Sequence, residues 1–194
     1  MYNFNALLSR MKYIPRWSLM RQSRTEYVAE HTTEVMQLAH TLAVISRVHF
    51  DTQVDEKKIV LCALYHDISE ILTGDMPTPV KYNDNALKTA YKEMEAKATD
   101  KLLDTLGEDL KPSIKPYVTQ DSLTVREKAI LKGADRLSAL IKCIEEQRSG
   151  SCEFDTAYRS VLASLEAMNL PEVDYFIEHM LPSYRLCLDD LAKI

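Results

Sequence analysis

His66 and Asp67 stand side by side in LYHDISEILTGD, residues 64–75, directly after the apolar run IVLCA. A carboxylate drawn into an apolar helix is costly unless it is paired or ligates a metal. Glu70 follows one turn later, and Asp75 comes just past Gly74, which reads as a helix stop. His66 and Glu70 are i,i+4 neighbours and Asp67 and Glu70 are i,i+3, so on a helix the three form one polar patch. Two further residues have similar surroundings. His31 shares a face with Val35, Leu38 and Leu42 at about 100° per residue, so it points inward, whereas His40 lies on the opposite side. Asp135, in AILKGADRLSALIKCI, lies beside the stripe of Ile130, Ala134, Leu137 and Ile141. Gly133 next to it lowers helix propensity and permits close backbone approach. Two imidazoles and two carboxylates suit one divalent transition metal, with positions left for water or a substrate. Singly, each has an ordinary explanation: a hydrogen-bonded core histidine, an Asp135–Arg136 surface ion pair, a solvated Glu70. As an ordered set on three inward-facing helices, they require all of those explanations to coincide.

The elements that must position these residues are helices. Helical periodicity predicts them at about residues 3–13, 31–48, 55–72, 85–106, 125–148, 155–168 and 173–192, with Asp55 as the N-cap of the third. TGDMPTPVKY holds two prolines and reads as a loop. No stretch alternates apolar and polar residues long enough for a convincing strand. The expectation is all-α: a single-domain helical bundle over residues 1–194, with about seven helices.

Composition narrows the function classes. The net charge is −5 with no block of Lys or Arg, which argues against binding a nucleic acid polymer but not against a local anion site. No apolar run approaches the ~20 residues that span a bilayer, and the N-terminus lacks a signal-peptide pattern. Cys62, Cys143, Cys152 and Cys187 are far apart, with Cys62, Cys143 and Cys187 in helical apolar patterns expected to be core. The expected location is the cytoplasm, with no membrane partner. Only four glycines occur, at 74, 107, 133 and 150, so neither GxGxxG nor a P-loop is present.

The order His31, His66-Asp67, Asp135 resembles the H…HD…D pattern of the HD-domain metal-dependent phosphohydrolases. RWSLM at 16–20, RTEYVAEH at 24–31, YHDISEILTGDMPTPVKY at 65–82 and KGADRL at 132–137 resemble, within that superfamily, the bacterial 5′-deoxynucleotidases of the YfbR type. The likeness covers nearly the whole chain in order and length. It implies a helical bundle of the HD-domain type, and one divalent metal, cobalt or manganese, held by His31, His66, Asp67 and Asp135. It implies hydrolysis of deoxyribonucleoside 5′-monophosphates to deoxynucleoside and phosphate, by a homodimer. Arg16 then contacts the phosphate and Trp17 borders the sugar, while Asp75, Met76, Pro77 and Thr78 line the nucleotide site. His31 and Asp135 also touch substrate, and Met76 stands where the family carries Leu.

The chemistry is coherent on its own terms. A divalent ion polarises a phosphoryl oxygen and acidifies water, and an arginine fork grips phosphate. Glu70 is the candidate for moving a proton to or from the attacking water, and Asp75 for a sugar hydroxyl or the leaving 5′-oxygen. Without the site, Arg16 reads as a solvated residue after Pro15 and Trp17 as core. Two alternatives stand beside this expectation. One is another single-metal HD enzyme, such as a broad nucleotide phosphatase or a phosphodiesterase. Two-metal members, which need extra histidines, are disfavoured because none occurs between His66 and Asp135, and a hydrolase of nucleoside polyphosphates is disfavoured by the few basic residues near the site. The other is a non-catalytic all-α binding module.

Overall fold

The computed structural model describes residues 2–81 and 84–192, the side chains of Thr78 and Pro79 excepted. In chain order the elements are α1 (Phe4–Leu8), a 3₁₀ segment (Ser9–Tyr13), α2 (Val28–Phe50), α3 (Glu56–Leu64), α4 (Glu70–Thr73), α5 (Thr78–Lys81) and α6 (Asn85–Leu103). There follow α7 (Lys111–Val118), α8 (Val125–Arg148), α9 (Asp155–Glu166), α10 (Pro171–His179), a second 3₁₀ segment (Leu181–Arg185) and α11 (Leu188–Leu191). The fold is all-α as expected. Short helices of one turn or so raise the number above seven, and no strand forms among the described residues.

Three departures from the periodicity have local causes. The helix expected over 55–72 ends at Leu64, residues 65–69 form a turn, and α4 resumes at Glu70. Through this turn the backbone bonds are i→i+3: Ile68 N–H to the Tyr65 carbonyl at 3.2 Å and Glu70 N–H to that of Asp67 at 3.0 Å. The helix expected over 173–192 stops after His179, where Pro182 forbids continuation. Cys187 therefore caps the short α11 and is exposed, whereas Cys62 and Cys143 are buried. Finally, α7 forms despite Pro112 and Pro116; Pro112 sits in its first turn, where no intrahelical N–H bond is needed.

The described contacts divide the chain into two compact units, Met1–Thr33 with Leu64–Ser122, and Glu34–Ala63 with Leu123–Ile194. In the first unit, Phe4, Ile68, Leu102, Leu103, Leu106 and Val118 make the core, with Tyr65, Ile71 and Ile114 packed on it. The turn after α3 is thus nailed down by Tyr65, Ile68 and Ile71. Gly74 ends α4 in the left-handed region (φ 72°), its N–H bonded to the Glu70 carbonyl at 2.8 Å.

In the second unit, α8 buries Ile130, Ala134, Leu137 and Ile141, the stripe expected from sequence. A Cβ on Gly133 would come within 2.8 Å of Val173 Cγ2, so this glycine does permit a close approach to α10. Glu127 ties the start of α8 to the start of α3. Its carboxylate accepts from the backbone N–H of Thr124 (2.8 Å) and of Asp55 (3.0 Å) and pairs with Lys58 (2.9 Å). Thr124 completes a capping box, and Asp55 caps α3 by accepting from Lys58 N–H at 2.9 Å.

Glu127 is only 3 % exposed. Burial alone would raise its carboxyl, but Lys58 and the donated hydrogen bonds overcome it and bring the pKa down to about 2. A carboxyl lowered on folding stabilises the protein above its unfolded pKa, and that contribution is lost as pH falls toward the folded value. Glu127→Gln is expected to lower stability by about 1–3 kcal/mol at neutral pH. The difference from wild type in urea unfolding should shrink as pH drops below about 4. A difference that stays constant down to about pH 2 would refute this role for the charge.

Candidate functional site

The turn after α3 brings His66 and Asp67 together with His31 from the first turns of α2. On a regular α-helix adjacent side chains diverge by about 100°. Here the tightened ladder lets both neighbours reach one point. His66 Nε2 lies 3.2 Å from His31 Nε2 and 3.1 Å from Asp67 Oδ2, and His31 Nε2 lies 3.4 Å from that same oxygen. His31 is fully buried. A divalent ion bound at about 2.1 Å holds neighbouring ligand atoms about 3.0 Å apart in an octahedron and about 3.4 Å apart in a tetrahedron. The triangle has the edges of such a coordination sphere, and the three residues form a group able to hold a metal ion. Burial by itself would raise the Asp67 carboxyl, but the charge and hydrogen bonds of His66 and His31 hold it well below the usual carboxylate range. It therefore stays anionic, as a ligand must. The donor set fits a divalent cation.

Glu70 stands next to this triangle with the opposite character. Its Oε2 is buried and has no hydrogen-bond partner among the described residues. Burial, then the negative charges of Asp67 and Asp75, push its pKa up to about 10 against the pull of Arg16 and Lys81. Asp75 is also raised, chiefly by burial, although Arg16 and the Trp17 N–H oppose the shift.

A second arm comes from residues 14–28. Pro15 and Tyr27 form an isolated antiparallel bridge, and Arg16 N–H bonds the Glu26 carbonyl at 2.9 Å. Arg16 Nη1 pairs with Glu26 Oε2 at 3.0 Å, and its side chain is only 12 % exposed, so it is not the solvated arginine of the ordinary explanation. Trp17 is half-buried rather than core, and its backbone is left-handed (φ 58°). Its N–H reaches Asp75 Oδ2 at 3.3 Å. The loop carrying Asp75, Met76 and Pro77 is fastened from α6: Tyr91 Oη donates to the Gly74 carbonyl at 3.3 Å, and Lys81 bonds Glu95 at 2.8 Å. Met76 and Pro77 are half-buried. The backbone at Thr78 opens α5, while its side chain, like all of Tyr82, lies outside the described residues.

The structure thus joins His31, His66 and Asp67 directly, and links Arg16, Trp17 and Asp75 in a second set whose charges act on Glu70. Asp135 belongs to the second unit, where Lys132 pairs with it at 2.6 Å. Arg136, the other partner considered for it, donates instead to the Ser164 carbonyl at 2.8 Å. Sequence reasoning missed Glu26 and Tyr91. Glu26 lies inside RTEYVAEH, but a single acidic residue before Tyr and Val carries no periodic signal of burial.

An all-helical chain with a His, His-Asp cluster defines the class of HD-domain phosphohydrolases. The crystal structure of an HD-domain phosphohydrolase from Listeria innocua matches at TM-score 0.83 and 25% identity, over 94% of this chain and 88% of that one. A cyanophage S-2L HD phosphohydrolase, DatZ, bound to dA and one catalytic Zn2+ ion, shares the fold at TM-score 0.67 and 17% identity, over 92% and 96% of the two chains. The model of the 5′-deoxynucleotidase YfbR-like family matches residues 3–184. The 5′-deoxynucleotidase YfbR of Escherichia coli (strain K12 / DH10B) is 44% identical over 191 residues, covering 98% of this chain and 96% of that protein. The chain belongs to the 5′-deoxynucleotidase YfbR-like family.

Glu70 offers a test of the site's electrostatics. A carboxyl raised on folding costs progressively more stability as pH rises from its unfolded to its folded pKa. In metal-free protein, Glu70→Gln should melt above wild type near pH 8, with the gap closing toward about pH 4.5. Equal melting temperatures across that range would show that the buried carboxyl carries no such cost.

Proposed function

We infer that this protein is a metal-dependent 5′-deoxynucleotidase, hydrolysing deoxyribonucleoside 5′-monophosphates to deoxynucleoside and phosphate. The observation that carries this is the His31–His66–Asp67 triangle, with ligand atoms 3.1–3.4 Å apart, in a chain of the YfbR-like family. When bound, a divalent ion supplies Lewis acidity toward a phosphoryl oxygen and lowers the pKa of water.

The remaining work falls to the chain's own side chains. His31, His66 and Asp67 hold the ion, and Asp135 is assigned as the fourth ligand on the KGADRL motif. Arg16 binds the phosphate with its planar fork and offsets charge that develops on the transferring group. Glu70 exchanges a proton with the attacking water, its carboxyl being buried close to Asp67 with one oxygen unpartnered among the described residues. Asp75 faces the sugar and the leaving 5′-oxygen. Trp17 walls the 2′ position, where a ribose hydroxyl would clash, and Met76, Pro77 and Thr78 complete the nucleotide pocket, with His31 and Asp135 also in reach of substrate. The family resemblance supports cobalt or manganese as the metal, a homodimer as the working form and the cytoplasm as its location. No helix among the described residues is long and apolar enough to cross a membrane.

Chelation should abolish phosphate release from 5′-dAMP, and cobalt or manganese should restore it. Asp67→Ala should stay at least about 1000-fold below wild type under the restoring conditions. A panel of deoxy- and ribonucleoside 5′- and 3′-monophosphates should single out the 5′-deoxy esters. Equal slow release by wild type and Asp67→Ala, with metal present, would sink the assignment.

A further inference from the structure

Glu26 is a buried carboxylate outside the metal triangle, and one of its oxygens serves two neighbouring residues at once. Its Oε2 accepts from Arg16 Nη1 at 3.0 Å and from Trp17 Nε1 at 2.8 Å. The contact is reinforced along the backbone: Arg16 N–H bonds the Glu26 carbonyl at 2.9 Å. Gln22 bridges the same two residues, its amide donating to the Arg16 carbonyl at 2.7 Å and accepting from Glu26 N–H at 3.2 Å. Adjacent residues rarely turn both side chains onto one atom; here Trp17 does so from a left-handed backbone that non-glycine residues seldom adopt. Its N–H, meanwhile, is spent on Asp75.

We propose that Glu26 is a positioning residue that locks the phosphate-binding Arg16 and the sugar-facing Trp17 into one clamp of fixed spacing. This rests on the 5′-deoxynucleotidase reading above. The physical need is clear from the charges around it. Arg16 lies close enough to Glu70 and Asp75 for its charge to act on both. A buried guanidinium released from Glu26 would turn toward those carboxylates and occupy the space a phosphate requires. Holding Arg16 and Trp17 on one oxygen also fixes the distance from phosphate grip to sugar wall, so a 5′-monoester of a deoxysugar fits and a ribose or a 3′-ester does not.

Trp17 is the chain's single tryptophan, so its emission reports on this clamp alone. The test uses the metal-loaded full-length protein with Glu26→Ala and Glu26→Gln, each alone and combined with Arg16→Ala. The clamp predicts that Glu26→Ala lowers kcat/KM for 5′-dAMP about 100-fold, the loss expected from an ångström of misplacement. It should also narrow the ratio of 5′-dAMP to 5′-AMP turnover about tenfold, with metal content unchanged. Tryptophan emission should shift to the red and become more open to acrylamide. Glu26→Gln keeps an acceptor for Trp17 but loses the ion pair, so its emission and deoxy preference should stay near wild type while kcat/KM falls about tenfold. In the Arg16→Ala background, the further loss on Glu26→Ala should drop below about threefold. The clamp is overturned by wild-type kcat/KM in Glu26→Gln, or by an equal loss on Glu26→Ala with and without Arg16. Should Glu26→Ala fail to fold, the Glu26→Gln kinetics and emission decide. Wild-type protein inactive on every deoxynucleotide would strike the underlying function instead, and the emission changes would still judge the clamp.

Discussion

Two imidazoles and a carboxylate whose polar atoms converge to within 3.4 Å are expensive to assemble inside protein, and much of the first unit follows from assembling them. A continuous helix through residues 55–72 would splay His66 and Asp67 apart. The chain instead stops α3 at Leu64, tightens into i→i+3 bonds, and restarts at Glu70. Such a break would fray if left exposed. Tyr65, Ile68 and Ile71 prevent this by packing in the cluster with Phe4, Leu102 and Leu103, so that every third residue of this short stretch serves the core and those between serve the site.

Charge is balanced around this centre by a consistent device. Asp67 and Asp75 bring negative charge beside the buried Glu70 carboxyl, and Arg16 and Lys81 answer it. Each of these cations is tethered by a carboxylate outside the acidic set: Arg16 by Glu26 at 3.0 Å and Lys81 by Glu95 at 2.8 Å. Lys81 also rests over the Tyr91 ring at 4.5 Å, and Tyr91 holds the Gly74 carbonyl. The tethers keep the positive charges near the acidic groups without letting them collapse onto them.

Much of this was legible in sequence because it is periodic. The inward face of His31 and the buried stripe of α8 follow from spacing at about 3.6 residues per turn, and Gly74 and Asp55 from the habits of helix ends. The break at 65–69 was not legible, since LYHDISEIL has neither proline nor glycine and reads as unbroken helix. Its cause is tertiary: ligand convergence and a hydrophobic anchor together outweigh local preference. Glu26 escaped notice for a related reason. Its partners are sequence neighbours of each other, but the pairing is made by an antiparallel bridge too short to leave an alternating pattern. The likeness of the HD, TGDMPTPVKY and KGADRL segments to a family reached further than periodicity, because it assigned roles to loop residues that have no period.

Buried carboxylates meet cations in both units, and what sets the surroundings of the His31–His66–Asp67 triangle apart is the crowding of acidic groups there. In the second unit Glu127, Glu146 and Glu172 each meet a cation, Lys58, Lys142 and Arg126 respectively. Lys58–Glu127 and Arg126–Glu172 join elements, Lys142–Glu146 lies within α8, and the second Glu172 oxygen has no hydrogen-bond partner among the described residues. In the first unit Glu26 likewise meets Arg16, but around the triangle one buried Glu70 oxygen has no partner among the described residues, Asp75 is raised by burial, and Trp17 bears a left-handed backbone. A scaffold selected only for stability would discharge each of these. Their concentration around the His31–His66–Asp67 triangle is the pattern of perturbed and unsatisfied groups that a functional site, rather than a purely stabilising core, is expected to hold.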